Sequence, residues 1–401
     1  MISITEKKDC CGCDACVQCC PKNCISMSID AEGFKYPVVN LSQCIDCSLC
    51  EKVCPMLAKT AKKQPLNCYA SYCRDEEIRR DSSSGGIFTV LASKVISEGG
   101  VVFGARFDKD WSVRHDYTDT VDGLVAFRGS KYLQSNIGDS FRKVRDYLKQ
   151  GRKVLFSGTP CQVAGLHGYL RRRYDNLLTV DFVCHGVPSP EVWQKYLKTL
   201  PVSANNSKSV SQKTFHIDSI SFRDKRNGWK NYGMRLKMSA AHDDLNTEYT
   251  SCTHNEVFQS FTENPYMDVF LSNLSLRPAC YNCPSKGFSS GSDITLGDFW
   301  GIGHTDPAID DDKGVSLLFI HNDTVKKMLE EAGVFLKEES FDKAVRYNPS
   351  VLESVAEPVY RAYFFKRLNG TGDFSKAYDA VFSRSLTKRI IRRLWLKFAN
   401  K

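Results

Sequence analysis

Cysteines crowd into the first part of the chain in a pattern that occurs twice. Eleven of the 18 cysteines in this 401-residue sequence lie between Cys10 and Cys54. The pattern is C-x2-C-x2-C-x3-C-P; its first copy contains Cys10, Cys13, Cys16 and Cys20, and its second contains Cys44, Cys47, Cys50 and Cys54. Such dense and regular thiols predict a segment that folds around metal rather than around a large apolar core.

The spacing indicates two cubane [4Fe-4S] clusters, as in bacterial ferredoxins. Three thiolates in one tight loop can reach three irons of one cluster, whereas the fourth cysteine, which precedes a proline, reaches the other cluster. We therefore assign Cys10, Cys13, Cys16 and Cys54 to the first cluster, and Cys20, Cys44, Cys47 and Cys50 to the second. Zinc also uses C-x2-C pairs, but two complete copies that end in Cys-Pro favour iron.

Three further cysteines in this segment have no place in the repeat. Cys19 continues the two-residue spacing and offers an alternative register, but the second copy has Val53 at the equivalent position. We interpret Cys19 as a bystander, and Cys11 and Cys24 as spare thiols of the kind that often fill small buried spaces.

Charge and hydropathy exclude several classes of protein. The formal net charge is +9, but seven of these positive charges lie at 381–401. The rest of the chain is nearly neutral, so we predict no nucleic-acid-binding surface. No run of about 18 apolar residues predicts a membrane span. The first residues contain no apolar leader, and the cysteines do not suggest a disulfide framework, so we expect a cytoplasmic protein.

The basic end of the chain predicts an amphipathic helix. Apolar residues recur at helical spacing opposite Arg and Lys between 384 and 398. We expect this helix to pack on the body with a solvated basic side. Contact with an anionic membrane surface or with an acidic partner protein is the alternative.

The region from 151 to 183 predicts a strand, a crossover helix and a second, parallel strand. Cys161 and Cys184 follow the two strands. Because ligands bind at the carboxyl ends of strands in open α/β sheets, we expect these cysteines to converge on one crevice. The C-x2-C pair Cys280 and Cys283 completes four thiols, enough for a third cubane cluster, with zinc as the alternative.

Two polar stretches are candidate anion sites. A serine- and glycine-rich stretch ends at Gly85 and Gly86, just before a predicted helix at 87–96. Paired glycines allow a ligand to approach the backbone, and a helix N-terminus attracts anions. Lys131 could neutralise a flavin or a phosphate. A capped helix after a flexible loop, and a solvated lysine, are the alternatives.

Several motifs, in the right order, resemble the coenzyme F420 hydrogenase/dehydrogenase beta subunit family, whose relatives include plant 7-hydroxymethyl chlorophyll a reductase. The resemblance covers about 66–330. The motifs are Ser84-Gly-Gly, Gly129-Ser-Lys-Tyr, Ser157-Gly-Thr-Pro-Cys-Gln, Val183-Cys-His-Gly-Val-Pro-Ser, Cys280-x2-Cys283 and Ser292-Asp-Ile-Thr-Leu-Gly-Asp-Phe-Trp-Gly.

The resemblance implies FAD and a further [4Fe-4S] cluster in the body of the chain. The implied cluster ligands are Cys161, Cys184, Cys280 and Cys283. The residues implied to line the flavin are Ser82, Ser83, Ser84, Gly85, Gly86, Lys131, Gly158, Thr159 and Pro160. No motif identifies an acid–base residue or a contact to F420.

We therefore expect a protein with α+β and α/β parts. A two-cluster ferredoxin-like domain at 1–60 precedes a mixed α/β body that binds flavin and cluster. The body comprises the N-terminal-type region of the family at 66–150 and its C-terminal-type region at 151–335. A helical extension with the basic tail follows at 336–401.

The expected function is that of an iron–sulfur flavoprotein oxidoreductase. It would pass electrons between a hydride carrier similar to coenzyme F420, which reacts at FAD, and one-electron carriers such as ferredoxin. One alternative is a ferredoxin-dependent flavin reductase of an organic substrate, for example in polysaccharide biosynthesis. Another is an electron-transfer subunit without activity of its own.

Overall fold

The computed structural model describes residues 1–58, 61–200, 215–240 and 254–382. The strands are β1 (Ile25–Ile29), β2 (Lys35–Val39), β3 (Asn67–Tyr72), β4 (Val101–Phe107), β5 (Val113–Thr118), β6 (Val154–Ser157), β7 (Leu177–Phe182), β8 (Phe215–Asp224), β9 (Gly233–Ala240), β10 (His254–Ser260), β11 (Ile294–Asp298), β12 (Ser316–Ile320) and β13 (Phe335–Glu339). The α-helices are α1 (Ala15–Cys19), α2 (Leu49–Lys52), α3 (Glu76–Asp81), α4 (Ile87–Ser97), α5 (Ser140–Lys149), α6 (Pro160–Leu170), α7 (Pro190–Leu197), α8 (Pro265–Leu271), α9 (Ile302–Thr305), α10 (Asp323–Glu331), α11 (Phe341–Arg346), α12 (Arg361–Thr371) and α13 (Phe374–Phe382).

An eight-stranded mixed sheet forms the centre of the body, in the order β13-β3-β12-β11-β7-β6-β4-β5. The neighbouring strands β11, β7, β6 and β4 are parallel. The predicted parallel pair is confirmed, because β6 and β7 pair in parallel and α6 connects them.

Successive side chains of a strand point to opposite faces of the sheet, so the central strands contribute to two separate cores, one on each face. Val101 and Phe103 of β4 pack with α5 and α6 on one face, whereas Val102 packs with α4 and α10 on the other. The mixed α/β architecture expected from the sequence is therefore present.

The predicted region boundaries do not follow the strands of this sheet. Residues 66–150 supply β3, β4 and β5, and residues 151–335 supply β6, β7, β11 and β12, so both regions build one sheet. The predicted helical extension from 336 instead begins inside β13, which pairs antiparallel with β3. The helices α11, α12 and α13 follow, and the predicted basic helix at 384–398 lies outside the described residues.

The cysteine-rich segment packs directly on the body. Its own elements are α1, α2 and the antiparallel hairpin of β1 and β2. Cys13 and Val53 belong to the same buried apolar cluster as the side chains of α5 and α6. A Cβ atom added at Gly165 of α6 would lie 2.9 Å from Cys13 Sγ, and one at Gly168 would lie 2.4 Å from the carbonyl oxygen of Val53. These two glycines therefore allow α6 to approach the segment closely.

A buried ion pair fixes the segment from a second side. The guanidinium of Arg361, at the start of α12, binds both carboxylate oxygens of Glu32 at 3.0 and 2.6 Å. Bidentate pairs of this kind fix orientation as well as position. Within the described part of the chain, no helix is both long and apolar enough to cross a bilayer.

Candidate iron–sulfur and flavin site

The carboxyl ends of the parallel strands bring together motifs that are far apart in the sequence. Residues 158–161 follow β6, and Cys184 lies two residues after the end of β7. β11 ends at Asp298, two residues before Trp300. These ends lie at one edge of the sheet because β6, β7 and β11 run in the same direction. The fold thus supplies a ligand-binding edge of the usual α/β kind.

Local sequence explains why α6 begins immediately after β6. Thr159 and Gln162 form a reciprocal capping box, and Pro160 occupies the first turn, where it needs no hydrogen-bond acceptor. The amide of Thr159 donates to Gln162 Oε1 at 2.9 Å. The cap fixes the first turn of α6, which contains Cys161, against the sheet edge.

Five thiols line one cavity at this edge, which we call the inner cavity. The cavity is partly open to solvent, and its empty space amounts to about 480 Å³. Its cysteines are Cys11, Cys161, Cys184, Cys280 and Cys283. The predicted convergence of Cys161 and Cys184 is therefore confirmed, and the C-x2-C pair joins them. Cys11, interpreted from the sequence as a spare thiol, lines the same space.

The four inner thiols of the body are partly buried, which disfavours free thiolates. Burial raises the pKa of Cys184, raises the pKa of Cys280 to about 12 and raises that of Cys283 to about 11. The amide of Val187 donates to Cys280 Sγ at 3.4 Å. Thiolates form in such a place when a metal centre binds them, since metal binding displaces the proton.

Two buried cations also line the inner cavity. Arg277 is fully buried, and Lys286 is 8% exposed. Arg277 Nε donates to the carbonyl oxygen of Cys10 at 2.6 Å, and Lys286 Nζ donates to those of Cys184 and Ser350. Among the described residues, no carboxylate lies within ion-pair distance of either cation.

An unbalanced buried charge is costly, so these cations require a negative group nearby. Four thiolates on a [4Fe-4S] core give the centre a net negative charge, and the cavity is lined by the thiols that would supply it. The donor set and the two cations therefore fit a cluster bound by Cys161, Cys184, Cys280 and Cys283.

A second thiol-lined cavity, the outer cavity, lies in the cysteine-rich segment. It is partly open to solvent, and its empty space amounts to about 350 Å³. Its cysteines are Cys20, Cys24, Cys44, Cys47 and Cys50. The geometry thus brings Cys20 of the first repeat to the cysteines of the second repeat, as the crossed assignment requires. The amide of Ile2 donates to Cys50 Sγ at 3.2 Å, and Cys24 Sγ lies 3.4 Å from Cys20 Sγ.

The remaining four repeat cysteines, the first thiol set, lie between the two cavities. The set comprises Cys10, Cys13, Cys16 and Cys54. Burial raises the pKa of Cys16, and the neighbouring thiols of Cys10 and Cys54 raise it further. Burial likewise raises the pKa of Cys54, which also lies near Cys10. These four thiols are thus close enough to interact.

Cys19 lies beside the first thiol set, where its Sγ donates to the carbonyl oxygen of Cys16 at 3.3 Å. Burial raises the pKa of Cys19 to about 12, and the nearby thiols of Cys50, Cys20 and Cys47 raise it further. Among the described residues, no three His, Cys, Asp or Glu side chains are arranged to hold a single metal ion. In a cubane cluster, by contrast, each thiolate binds a different iron atom.

The predicted flavin-lining residues form two separate groups. The 82–86 loop lies on β12, where Ser84 Oγ donates to Val315 O at 3.0 Å and the amide of Gly85 donates to Ser316 Oγ at 3.0 Å. The 158–160 loop lies between β6 and β7. The two places are three strands apart, or roughly 14 Å at the usual spacing of about 4.8 Å. No hydrogen bond found among the described residues joins the two loops.

Gly85 and Gly86 have structural reasons to be glycine. A Cβ atom at Gly85 would lie 2.5 Å from the carbonyl oxygen of Ser71, so the missing side chain allows the loop to lie on the sheet. Gly86 has a φ of 88° at the start of α4, in the left-handed region that glycine adopts easily. Packing on the sheet therefore explains Gly85 without a ligand that approaches the backbone.

Lys131 follows a residue that touches the 82–86 loop, and its Nζ donates to the carbonyl oxygens of Arg128 and Gly129 at 3.0 and 3.2 Å. The neighbouring Ser130 donates to Ser83 Oγ through its amide at 2.7 Å and through its hydroxyl at 2.9 Å. Two more cations, absent from the sequence prediction, approach the loop. Arg223 donates to the carbonyl oxygen of Ser83 at 3.3 Å, and Lys225 donates to that of Ser84 at 3.1 Å.

This neighbourhood fits an anionic ligand such as a pyrophosphate. Arg223 pairs with Asp298, but neither Lys131 nor Lys225 has a carboxylate within ion-pair distance among the residues described. Burial lowers the pKa of Lys131 to about 7 and that of Lys225 to about 8. The N-terminus of α4 has no side-chain cap, so its first amides are also available to an anion.

The spacing of the sequence motifs did not predict that Cys11, Arg277, Lys286 and Arg223 lie at the site. Cys11 stands where the second repeat has Ile45, and that mismatch was the one signal that it is not a repeat ligand. Arg277 and Lys286 flank the pair Cys280 and Cys283 in the sequence, whereas Arg223 lies in β8, and only the fold brings all three to the sheet edge.

Three protein-family models match consecutive parts of the chain between residues 9 and 342. The C-terminal model of the coenzyme F420 hydrogenase/dehydrogenase beta subunit matches residues 151–342, and its N-terminal model matches residues 68–141. A 4Fe-4S dicluster domain model matches residues 9–58. No curated protein gives a significant match.

Thirteen solved protein chains match this fold. One of them comes from a xenon-derivatised F420-reducing [NiFe] hydrogenase complex of Methanosarcina barkeri. It is 15% identical, covers 80% of this chain and 93% of its own length, and has a TM-score of 0.44. The family matches together cover about two thirds of the sequence. The chain therefore belongs to the coenzyme F420 hydrogenase/dehydrogenase beta subunit family and carries a 4Fe-4S dicluster domain at its N-terminal end.

Proposed function

We propose that this protein is an iron–sulfur flavoprotein that moves electrons between a hydride carrier similar to coenzyme F420 and one-electron carriers. The observation that carries the proposal is the inner cavity, where four cysteines from distant loops meet two buried cations beside the docked dicluster domain. When bound, FAD would exchange hydride as well as single electrons, and the clusters would carry single electrons.

Three sets of thiols would hold the clusters. Cys10, Cys13, Cys16 and Cys54 would bind the first, and Cys20, Cys44, Cys47 and Cys50 the second. The inner cavity would hold a third through Cys161, Cys184, Cys280 and Cys283. Arg277 and Lys286 would stabilise the negative charge of this set, and the surrounding burial would keep water away.

FAD would bind at the 82–86 loop and the N-terminus of α4. Lys131 and Lys225 would neutralise its phosphates, and Arg223 would hold the loop in place through its bond to Ser83. The 158–160 loop lies roughly 14 Å away by strand spacing, so it would meet a different part of the extended ligand. No side chain is required to act as a nucleophile.

The outer cavity would exchange electrons with an external carrier such as ferredoxin. Cys47 is exposed there, and the adjacent Ile45 is 57% exposed. An exposed, partly apolar surface beside a thiol set is suited to a transient redox partner. The chain would thus have a solvent-facing entry or exit and an interior end beside the flavin.

The first test is the visible spectrum and the iron and flavin content of anaerobically purified protein, before and after addition of reduced F420. We expect about twelve irons per chain, four for each cubane cluster, one FAD, and bleaching of both flavin and cluster bands. The control is Cys280→Ala, which should lose only the iron of the inner cavity.

Other outcomes change the proposal in defined ways. Bleaching by reduced ferredoxin but not by F420 would favour a ferredoxin-dependent reductase. Bleaching by dithionite alone would favour an electron-transfer subunit. Zinc in place of iron in the inner cavity would overturn the third cluster.

A further inference from the structure

A strip of four exposed cations borders the outer cavity, and we call it the basic rim. It consists of Lys52, Arg171, Arg172 and Arg173. Among the residues that the structure describes, no carboxylate lies within ion-pair distance of any of the four. The guanidinium of Arg172 instead lies over the ring of Tyr174, 4.2 Å from its centroid. The rim therefore carries positive charge that the protein does not itself balance.

Packing places the rim beside the outer cavity, although its members come from two segments. Lys52 ends α2, the short helix that begins with Leu49 and Cys50, and both of these residues line the cavity. Arg171 follows Leu170, the last residue of α6. Leu170 belongs to the apolar cluster against which Leu49 packs. One side chain, that of Leu49, thus connects the wall of the cavity to the end of α6.

The two parts of the rim meet where α6 packs on the cysteine-rich segment. A Cβ atom at Gly168 would lie 2.4 Å from the carbonyl oxygen of Val53, and Val53 directly follows Lys52. The amide of Arg171 donates to the carbonyl oxygen of His167 at 3.0 Å, so Arg171 still follows the path of the helix. Residues three apart lie on one face of a helix, so Arg171 stands one turn beyond the contact at Gly168.

The carboxylates closest to the rim in the sequence do not neutralise it. Asp46 and Glu51 lie 3.2 and 3.3 Å from the amino group of Met1 and pair with it. Asp175, two residues after Arg173, is exposed and is not within ion-pair distance of the rim. Both parts of the rim stand at helix C-termini, where positive charge is favoured, so the fold can keep these cations together without a counter-charge.

We propose that the basic rim is the docking surface for a small acidic protein that carries one electron, and that this carrier reacts with the cluster of the outer cavity. This inference rests on the proposed function, since it requires that cluster. Acidic side chains of the carrier would pair with the rim, and Ile45, which is 57% exposed, would provide an apolar contact at the centre. The exposed Cys47 lies in the wall of the same cavity, so the carrier would approach the cluster closely.

The electron balance of the exchange is simple. When the carrier delivers an electron, it is oxidised by one electron and the outer cluster is reduced by one electron. No bond forms or breaks, and no proton moves. Two such encounters account for the two electrons of one hydride at the flavin. The rim would act on the encounter itself, because clustered charge of one sign raises the association rate of an oppositely charged partner.

The test measures electron uptake by anaerobic, iron-loaded, full-length protein from a reduced acidic [2Fe-2S] ferredoxin, followed by stopped-flow absorbance. At about 0.01 M ionic strength, the triple variant Arg171→Gln, Arg172→Gln and Arg173→Gln should lower the second-order rate constant about tenfold, the smaller end of the range for electrostatic steering. Lys52→Gln should lower it about twofold. At about 1 M, where the Debye length is about 3 Å, all these proteins should react at the same rate.

A matched variant controls for net charge. Lys327→Gln, Lys366→Gln and Arg367→Gln together remove three positive charges from exposed positions on α10 and α12, which form no ion pair with the described residues and do not line the outer cavity. This protein should keep the wild-type rate at each ionic strength. Basic cytochrome c, used as a one-electron acceptor, should be reduced faster by the arginine variant than by wild type, because a repulsion is removed.

The outcomes separate this inference from the proposed function. Equal ferredoxin rates for wild type and the arginine variant at about 0.01 M would overturn the docking surface, and so would a deficit that persists at about 1 M, which indicates a structural effect. Binding to phosphatidylserine vesicles that is lost in the arginine variant, with unchanged ferredoxin kinetics, would assign the rim to a membrane surface instead. If reduced F420 does not bleach the flavin but the salt-dependent deficit is found, the hydride carrier is wrong and the docking surface stands.

Discussion

The inner and outer cavities are lined by the same chemical group in opposite surroundings. Each contains five cysteines. The inner cavity includes two buried cations, Arg277 and Lys286, and lies against the central sheet. The outer cavity lies at the surface, where Cys47 is exposed. Its lining includes Lys22, which is exposed, and Met1, whose amino group pairs with Asp46 and Glu51.

This difference separates two tasks that a redox protein must perform. An interior centre needs its charge balanced by the protein, because water cannot screen it. A surface centre is screened by solvent and must be reachable by a partner. We therefore expect that removing a cluster ligand from the inner cavity lowers the stability of the body. Removing one from the outer cavity should not.

The largest expected effect tests that coupling directly. Cys184→Ala removes an inner thiolate and leaves Arg277 and Lys286 without their counter-charge. We expect loss of the inner iron and a decrease of about 3–5 kcal/mol in the free energy of unfolding, the usual consequence of an unpaired buried charge. Cys47→Ala should lose the outer iron with a decrease below about 1 kcal/mol in the stability of the body.

Anaerobic denaturant titration with iron analysis measures both variants. Cys73→Ala is the matched control, since it is a buried thiol outside all three sets. It should keep full iron and lose roughly 1 kcal/mol of stability. Equal destabilisation by Cys184→Ala and Cys47→Ala would show that the two cavities do not differ as described.

The sequence predicted the outer cavity far better than the inner one. Groups of four cysteines with fixed spacing place their thiols around a cluster through local chain geometry alone. Even the crossed position of Cys20 beside the second repeat could be foreseen, because the proline after it turns the chain away. Cys19, Cys24 and Cys11 could not be placed, since spacing does not reveal where a non-ligand thiol points.

The inner cavity is assembled by tertiary structure from four distant loops. The parallel strands β6 and β7 made the meeting of Cys161 and Cys184 predictable. Nothing in the local sequence indicated that Arg277 would reach the carbonyl oxygen of Cys10. The 82–86 loop shows a second limit of sequence patterns: Gly85 is needed for packing on the sheet, so this glycine is not by itself a sign of a ligand loop.

Close packing of α6 on the cysteine-rich segment gives the next effect. Gly168→Ala would bring a methyl group to 2.4 Å from the carbonyl oxygen of Val53. We expect a loss of about 1–3 kcal/mol, as for other overpacked sites, and faster loss of iron from the first thiol set in air. Iron release and denaturant unfolding measure the two effects.

Gly370→Ala is the matched control for this substitution. Gly370 lies in α12, and a Cβ atom there would meet no atom within 4 Å. It should gain about 0.5–1 kcal/mol, because alanine favours a helix more than glycine does. If Gly168→Ala is as stable as wild type, α6 and the cysteine-rich segment do not need to pack this closely.

Arg277 should adjust the inner cluster more than the outer one. Arg277→Gln keeps hydrogen-bond donors but removes the charge near Cys10, Cys11 and Cys280. We expect the potential of the inner cluster to fall by about 60 mV, the equivalent of ~1.4 kcal/mol for one electron. Arg277→Lys should recover part of this fall. The same change at the outer cluster would contradict a local electrostatic effect.

The smallest effect concerns the pH dependence of the loop that leads to Cys161. His115 hydrogen-bonds with the carbonyl oxygen of Ser157 at 3.0 Å and with Ser135 Oγ at 3.1 Å. Burial lowers the pKa of His115 to about 4, and the charge of Lys131 adds to this. The folded protein therefore keeps His115 neutral, whereas the unfolded chain takes up a proton below about pH 6.5.

The stabilising effect of neutral His115 is therefore present above pH 6.5 and decreases as the pH falls toward 4. Between pH 7 and 5.5 we expect wild type to lose roughly 1 kcal/mol more than His115→Gln does. Comparing the two proteins cancels other groups, such as Asp181, whose pKa burial raises to about 6 and whose effect has the opposite sign. Because His115 holds the carbonyl oxygen of Ser157, four residues before Cys161, we expect acid to release the inner iron first. Equal acid release from both cavities would place the pH sensitivity elsewhere in the chain.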